Sequence, residues 1–293
     1  MFLFCLLKWF FYIFSGVIAL SLGALLVFSF FDRRIPINET TKTCLVTGAS
    51  SGLGRALSVE MVKRGWKVIG IARRAELLDA LKVQLGADNF IPYVCDVSNL
   101  AAIHQASDDM KTKGLKPTLF FLNAGIPLRE DKSKVSAIDH QKVFATNYLG
   151  AVAWVDEWLG AVKTYGGGTF VATSSIASLA SSPGHAAYGA SKSALSSCFK
   201  SLRLQYLNDN IGFSVIVLGD NVTEFNLNRT RFDKVQRGEK LPFLVSLLVH
   251  LPEDDARYIV EQVFKGAKQI KPCLANVCMA RLMSWMPDRL LAK

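Results

Sequence analysis

Paired cysteines and clustered histidines are both missing from this sequence of 293 residues. None of the six cysteines forms a CxxC pair, and they are dispersed in apolar surroundings. This spacing argues against a disulfide framework and predicts buried, reduced thiols in a domain that faces the cytosol. The four histidines are equally scattered, so no metal site is expected.

The sequence also lacks any recognisable nucleic-acid-binding motif, although its net charge is +10. The basic residues are mostly scattered along the chain and are not gathered in blocks. A basic surface of this kind is either simply solvated, or it has affinity for anionic lipid or for a cofactor that carries a phosphate. Nucleic acid is therefore not expected as a partner.

Charged residues are absent from Trp9 to Phe31. At about 1.5 Å of rise per helical residue, this apolar run is roughly 34 Å long and can cross a bilayer. The run ends in bulky residues followed by two arginines, whereas a cleavable signal peptide, the alternative, has a shorter apolar stretch and a small-residue cleavage site. We expect a membrane anchor over residues 1–34 and a linker over residues 35–41. The arginines after the span predict a single-pass membrane protein whose catalytic domain faces the cytoplasm.

A glycine-rich segment follows the first short apolar run of the remaining chain. The run TCLVT predicts a buried strand, and the residues from Arg55 onward predict an amphipathic helix. Between a strand and a helix, glycines let the backbone turn tightly and approach a pyrophosphate, and the helix N-terminus supplies N–H donors. An ordinary glycine-rich turn is the alternative. The candidate cofactor-binding residues of this segment are Gly48, Ser50, Ser51, Gly52, Leu53 and Gly54.

The second predicted strand ends in Arg73 and Arg74, and no acidic residue follows before Glu76. In dinucleotide-binding folds an acidic residue at this place binds the ribose 2′-hydroxyl, whereas an arginine binds a 2′-phosphate. Two guanidinium groups suit a phosphate dianion, so the sequence favours NADP(H) over NAD. Alternatively, both arginines are solvated residues at the start of a helix.

Strands and helices alternate along the chain, and this order predicts a parallel sheet with helices on both faces. Ligands bind such sheets at the carboxyl ends of the strands. Asp96 follows one predicted strand, where it could hold an adenine edge or cap the next helix. Because these strand ends share one edge of the sheet, we expect a single ligand site that includes the glycine-rich turn, Arg73, Asp96, Asn123 and Ser175.

Tyr188 and Lys192 are four residues apart, so on a helix they lie on one face. The ordinary pKa of tyrosine is about 10, and a nearby ammonium lowers it by stabilising the phenolate. Ser175 ends an apolar strand and is a candidate donor to a substrate oxygen, with Ser174 as the neighbouring alternative on the opposite face. Tyr188 is therefore a candidate general acid/base, although a tyrosine and a lysine at this spacing are common by chance.

With these residues in hand, residues 42 to 223 resemble the short-chain dehydrogenase/reductase family. Several ordered motifs carry the resemblance: TGASSGLG at 47–54, DV at 96–97, NAG at 123–125, Asn147 in FATNYLG, Ser175, and YGASK at 188–192. The resemblance implies a Rossmann-type doubly wound parallel sheet, a homodimer, and hydride transfer with a nicotinamide cofactor.

The resemblance also implies a role for each matched residue. Tyr188 would be the acid/base, Lys192 would lower its pKa and hold the nicotinamide ribose, and Ser175 would orient the carbonyl or hydroxyl. Asn147 would anchor a proton-relay water with Lys192, or it could instead be a residue at a helix bend. The implied cofactor-binding residues beyond the glycine-rich turn are Arg73, Arg74, Asp96, Val97, Asn123, Ala124, Gly125, Tyr188, Lys192 and Thr223.

One motif departs from the family pattern. The family has PGxxxT after the next strand, and its backbone and threonine meet the nicotinamide amide. In this chain Leu218 replaces the proline, while Gly219 and Thr223 match. The departure puts the contact with the nicotinamide amide in doubt and leaves the chemistry unaffected.

The C-terminal third contains two apolar segments. Residues 224–252 are expected to cover the substrate, and their apolar run would line a lipophilic pocket, lie on a membrane, or belong to the core. The dinucleotide-binding catalytic domain is expected to span residues 42–270, and residues 271–293 are expected to form an amphipathic tail.

The sequence as a whole predicts a membrane-anchored enzyme that transfers hydride between NADP(H) and a carbonyl or alcohol of a lipophilic, lipid- or steroid-like molecule. The anchor and the apolar lid are the basis for the expected substrate class. The alternative function is a nucleotide-binding regulatory or scaffold protein that keeps the fold without turnover.

Overall fold

The computed structural model describes residues 34–128, 135–180, 182–221 and 249–283. The compact unit that contains nearly all of them begins at Ile35. Its strands are β1 Thr43–Thr47, β2 Lys67–Ala72, β3 Phe90–Val94, β4 Leu119–Leu122, β5 Gly168–Ser175, β6 Ile211–Leu218, β7 Asp220–Asn221, β8 Val249–His250 and β9 Gln269–Ile270. Its α-helices are α1 Gly52–Lys63, α2 Ala75–Leu85, α3 Leu100–Thr112, α4 Ala137–Phe144, α5 Gly150–Thr164, α6 Ala186–Gln205, α7 Pro252–Phe264 and α8 Leu274–Met283.

Seven of these strands form one parallel sheet in the order β3-β2-β1-β4-β5-β6-β9. The chain reverses direction across the sheet between β1 and β4, so a crevice opens at the carboxyl ends of these two strands. The predicted α/β class, with a parallel sheet and flanking helices, is confirmed.

Hydrophobic cores lie on both faces of the sheet because successive side chains of a strand point in opposite directions. Phe120 belongs to the core that contains Trp154 and Trp158 of α5, whereas the next residue, Phe121, belongs to the core that contains Leu57 of α1. Burial on both faces explains why the central strands are continuous apolar runs and show no alternation of apolar and polar residues.

One turn of π-helix at Ala145–Leu149 follows α4 directly. This turn joins α4 to α5 and contains the buried side chain of Asn147. Immediately afterwards Gly150 lies so close to the carbonyl oxygen of Val97 that an added Cβ would be 2.3 Å from it. The close approach of α5 to the loop that follows β3 therefore requires glycine at this position.

Several predicted segments lie outside the described residues: the apolar run 9–31, Thr223, most of the lid at 224–248, and the end of the tail at 284–293. In the part of the chain that is described, the helices are amphipathic segments packed on the sheet, and none is long and apolar enough to cross a bilayer. This finding contradicts the predicted localisation as a single-pass membrane protein with a cytoplasmic catalytic domain, and that prediction is corrected.

Candidate active site

The glycine-rich turn between β1 and α1 forms a cradle at one side of the cavity. Gly48 and Gly52 have positive φ angles of 73° and 52°, a conformation that glycine adopts without strain. Gly54 lies against the turn itself, because an added Cβ would be 2.2 Å from the carbonyl oxygen of Gly48. The backbone can therefore approach a phosphate closely at the N-terminus of α1.

Arg74 closes one side of this cradle. Its guanidinium donates hydrogen bonds to the hydroxyl oxygens of Ser50, at 3.1 Å, and Ser51, at 2.6 Å. Arg73 lies on the other side, where its Nη1 is 3.7 Å from Oδ2 of Asp96. The guanidinium of Arg74 thus lies beside two hydroxyls and that of Arg73 beside a carboxylate, both just after the end of β2. Guanidinium and hydroxyl groups are the donors that a phosphate dianion needs.

Asp96 does not cap the following helix, the alternative considered from the sequence. Its Oδ1 accepts hydrogen bonds from the backbone N–H and the hydroxyl of Ser98, and the cap of α3 is Asn99, whose side chain accepts from the N–H of Ala102. Burial disfavours ionisation of Asp96, but the Ser98 hydrogen bonds and the charge of Arg73 outweigh it and lower the pKa of Asp96. The group is a carboxylate at neutral pH.

Thr47, which the sequence analysis did not single out, ties the first strand to the fourth. Its Oγ1 accepts hydrogen bonds from the backbone N–H groups of Asn123, at 2.9 Å, and Ala124, at 3.0 Å. The Asn123 side chain is held in turn by the carbonyl of Thr47 and the hydroxyl of Thr173. The only sequence signal for this role is that Thr47 opens the TGASSGLG motif.

Ser175 and Ser174 point in opposite directions at the end of β5. The hydroxyl of Ser174 donates to the carbonyl of Lys192 at 3.1 Å and accepts from Ser196 at 2.7 Å, so it joins the strand to α6. Among the described residues, the hydroxyl of Ser175 has one hydrogen bond, a local one that it accepts from the N–H of Ala177 at 3.2 Å. Ser174 is therefore engaged in packing α6 against the sheet, whereas Ser175 can still donate to a ligand.

Tyr188 and Lys192 lie on the same face of α6, as their spacing predicts. Lys192 is 3% exposed, and its Nζ is 5.9 Å from the centre of the Tyr188 ring and donates to the carbonyl of Thr173 at 2.7 Å. Burial lowers the pKa of Lys192 from 10.5 to about 8. A buried ammonium is stabilised by an anion that forms beside it, and the phenolate of Tyr188 would be such an anion.

Asn147 occupies the π-helical turn and is fixed by three hydrogen bonds. Its Oδ1 accepts from the N–H of Ile126 at 2.8 Å, and its Nδ2 donates to the carbonyl of Ile126 and to the hydroxyl of Ser191, both at 3.2 Å. Ser191 in turn donates to the carbonyl of Tyr188. Asn147 is thus both a residue at a helix irregularity and a support for α6, and a Cβ added at Gly125 would lie 3.3 Å from both Asn147 and Lys192.

One cavity of about 970 Å³ joins these parts. Gly54 and Asn147 are behind its wall, and Thr223 is outside the described residues. The wall includes His185 at the start of α6 and one face of α8, formed by Asn276, Met279, Ala280 and Met283, which the sequence analysis assigned only to an amphipathic tail. The predicted residues that line it are Gly48, Ser50, Ser51, Gly52, Leu53, Arg73, Arg74, Asp96, Val97, Asn123, Ala124, Gly125, Ser175, Tyr188 and Lys192.

Comparison with known proteins agrees with this arrangement. The sequence profile described as short chain dehydrogenase matches residues 42–234. The uncharacterized oxidoreductase YbbO of Escherichia coli K12 is 30% identical over 197 residues, which cover 66% of this chain and 71% of that protein.

Two solved structures illustrate the similarity of fold. A serine dehydrogenase complexed with NADP+ is 25% identical with a TM-score of 0.68, and the match covers 78% of this chain and 93% of that one. A short-chain dehydrogenase/reductase from Burkholderia phymatum in complex with NAD is 23% identical with a TM-score of 0.71, covering 86% and 94%.

Proposed function

This chain belongs to the short-chain dehydrogenase/reductase family and is a nicotinamide-dependent oxidoreductase, and we propose that it uses NADP(H) to interconvert a carbonyl and an alcohol on a lipophilic small molecule. One observation carries the proposal. The cavity has a glycine cradle and two arginines at one end, and Ser175, Tyr188 and Lys192 at the other.

The residues at the end of the cavity that contains Tyr188 each have a separate role in the proposed reaction. A bound nicotinamide would give hydride to the substrate carbon or accept hydride from it. In the direction of reduction, the Tyr188 hydroxyl donates a proton to the carbonyl oxygen while Ser175 donates a hydrogen bond to the same oxygen. Lys192 stabilises the phenolate that remains, and Asn147 supports the segment of α6 that carries Tyr188 through its bond to Ser191.

NADP(H) is favoured over NAD by the groups around the end of β2. A 2′-phosphate there would meet the guanidinium groups of Arg73 and Arg74 and the hydroxyls of Ser50 and Ser51. Arg73 is 67% exposed on its side chain and its pairing with Asp96 is long, so it can turn towards a phosphate with little loss. No acidic residue lies between the end of β2 at Ala72 and Glu76, where the carboxylate that binds the ribose 2′-hydroxyl of NAD is found in dinucleotide-binding folds.

A lipophilic substrate is supported by the apolar side chains in the described part of the cavity wall. Met279, Ala280 and Met283 share one face of α8, and Ile126 and Ala177 also line the cavity. Methionine side chains are flexible and polarizable, so such a wall adapts to apolar substrates of different shape. The physiological direction proposed is reduction, which follows from the choice of NADP(H).

We also propose that the chain forms a homodimer. The support is that Ile138 of α4, Leu149 of the π-helical turn and Leu204 of α6 are large apolar residues exposed on the surface. Light scattering coupled to gel filtration would show a mass of about twice 32.2 kDa if the proposal is right and 32.2 kDa if it is wrong.

The proposed function is tested by titrating the full-length chain with NADPH and NADH, followed by fluorescence. We expect tight NADPH and weak NADH binding, and substitution of Arg74 by serine should weaken NADPH binding about 10- to 100-fold, the value of a charge-assisted hydrogen bond. Equal binding of both nucleotides would overturn the NADP(H) assignment.

Catalysis is tested separately by Tyr188→Phe in assays with lipophilic ketones and alcohols. The variant should bind NADPH as the parent does and lose nearly all turnover. Nucleotide binding by the parent with no turnover on any substrate would favour the second candidate, a nucleotide-binding regulator; full activity of Tyr188→Phe would remove the proposed mechanism.

A further inference from the structure

A buried amide enters the cavity from the C-terminal helix, close to the reacting end. Asn276 lies in the first turn of α8, is 2% exposed and lines the cavity. It is more than 40 residues beyond the segment matched to the family profile, which ends at 234. Its neighbours on the same face of the helix, Met279, Ala280 and Met283, give this wall an otherwise apolar surface.

The chain segment beneath Asn276 is the turn that follows β6. A Cβ added at Gly219 would be 2.3 Å from Nδ2 of Asn276 and 3.0 Å from its Cγ, so the amide lies directly over the Gly219 backbone. Gly219 is not among the glycines with positive φ in the described residues. Its backbone conformation is therefore open to other residues, and what requires glycine here is the space taken by the Asn276 side chain.

This contact is close to the reacting groups. Leu218 is paired in register with Ser175 across β5 and β6, and Gly219 is the next residue along the chain. The helix that carries Asn276 also contacts the short 3-10 turn at Ile176–Ser178, directly after Ser175. Asn276 thus contacts Gly219, which follows the residue paired with Ser175. Its helix, α8, also contacts the turn that follows β5.

The same turn is where the sequence departs from the family pattern. A proline restricts the backbone before and within a turn, and Leu218 supplies no such restriction. We propose that Asn276 is a positioning residue for the nicotinamide end of the cofactor: its carboxamide holds the Gly219 turn in place from α8, so that the peptide groups of this turn face the nicotinamide amide. The proposal rests on the proposed function, since it assumes that a nicotinamide cofactor binds in this cavity.

The test compares binding at the nicotinamide end of the cofactor with binding at the 2′-phosphate end. The full-length chain is titrated with NADPH, and with 2′-phospho-ADP-ribose, which lacks the nicotinamide, by displacement of NADPH fluorescence. For Asn276→Ala, and for Asn276→Asp, which keeps the size of the side chain, we expect about five- to tenfold weaker NADPH binding, the value of one hydrogen bond. Affinity for the phospho-ADP-ribose fragment should stay unchanged, because its binding groups are at the other end of the cavity.

Two further variants test the contact itself and the specificity of the effect. Gly219→Ala should weaken NADPH binding because its methyl group would collide with Asn276, and adding Asn276→Ala should restore part of that loss. Cys278→Ala is the matched control, since Cys278 is an exposed residue of the same helix; it should bind both ligands as the parent does.

Three outcomes are distinguishable. Selective loss of NADPH affinity in the Asn276 variants supports the proposal. Equal loss for NADPH and the fragment, or no loss for NADPH, overturns it while the proposed function stands. A parent chain that binds neither ligand refutes the proposed function itself, and the positioning role is refuted with it.

Discussion

Replacing the buried Lys192 by methionine should stabilise the cofactor-free protein at neutral pH while abolishing its activity. The side chain is 3% exposed, and burial lowers its pKa from 10.5 to about 8. This lower pKa means that keeping the ammonium buried opposes folding by roughly 3 kcal/mol below pH 8. Methionine has similar volume and no charge, and it loses the hydrogen bond to the carbonyl of Thr173, worth about 1 kcal/mol. The expected net gain at pH 7 is therefore about 2 kcal/mol.

The pH dependence of this difference has a definite sign. Because the folded-state pKa of Lys192 is lower than the unfolded value, the unfolded chain binds more protons between pH 8 and 10.5. The free energy of unfolding of the parent, relative to that of the variant, is therefore highest above pH 10.5. It falls by roughly 3 kcal/mol as the pH is lowered from 10.5 to 8. The advantage of Lys192→Met should shrink over this window, and above it the variant should be the less stable protein by about the value of the lost hydrogen bond.

The measurement is urea unfolding at pH 7 and at pH 10, without cofactor, followed by tryptophan fluorescence from the buried Trp154 and Trp158. Lys200→Met is the matched control, because it makes the same substitution at an exposed position of the same helix and should change little. A variant that is less stable than the parent at pH 7, or a stability difference that does not change with pH, would refute the reasoning that the ammonium of Lys192 is held at a cost for the sake of function.

Three other predictions follow from the described contacts. Gly54→Ala should abolish dinucleotide binding and lower the melting temperature, because its Cβ would lie 2.2 Å from the carbonyl oxygen of Gly48. His104→Ala should lower the melting temperature at pH 5 and not at pH 9, because the hydrogen bond that the His104 ring donates to the carboxylate of Glu157 raises the pKa of His104. The stabilisation is complete below the ordinary pKa of histidine and is lost as the pH rises through the raised pKa. Iodoacetamide at pH 8 should leave Cys95 unmodified in the folded protein, because burial raises its pKa to about 11.

Each of these has an outcome that would contradict it. Retained NADPH affinity in Gly54→Ala would mean that the cradle is more deformable than the close packing indicates. A pH-independent effect of His104→Ala would place its contribution in packing and not in charge. Alkylation of Cys95 at the rate of the exposed thiol on α8, detected by peptide mapping, would show that the cavity wall opens readily.

The α/β fold and the residues at the ligand-binding edge of the sheet could both be predicted from the sequence alone. Apolar strands that alternate with amphipathic helices predict a parallel sheet. A parallel sheet brings the carboxyl ends of all its strands to one edge. That is why Arg73, Asp96, Asn123 and Ser175 could be grouped although they are far apart in the chain. The spacing of Tyr188 and Lys192 is likewise local, since a helix places residues four apart on one face.

Other features were decided only by tertiary structure, because they depend on which surfaces meet. One such feature is that Asn99, and not Asp96, caps α3. To predict which of the two is the cap, one has to know at which residue the helix begins. The π-helical turn at Asn147 lies between two α-helices, and no periodicity in its sequence predicts it.

The contribution of α8 was the least accessible to sequence reasoning. Nothing within residues 274–283 indicates that this helix faces a ligand cavity, because an amphipathic face looks the same whether it covers a core or lines a site. Only the fold brings Asn276 over Gly219, across 57 residues of chain, by docking α8 beside the end of β6. Local sequence specifies the elements and their ends, whereas contacts between distant elements exist only once the sheet has brought their docking surfaces together.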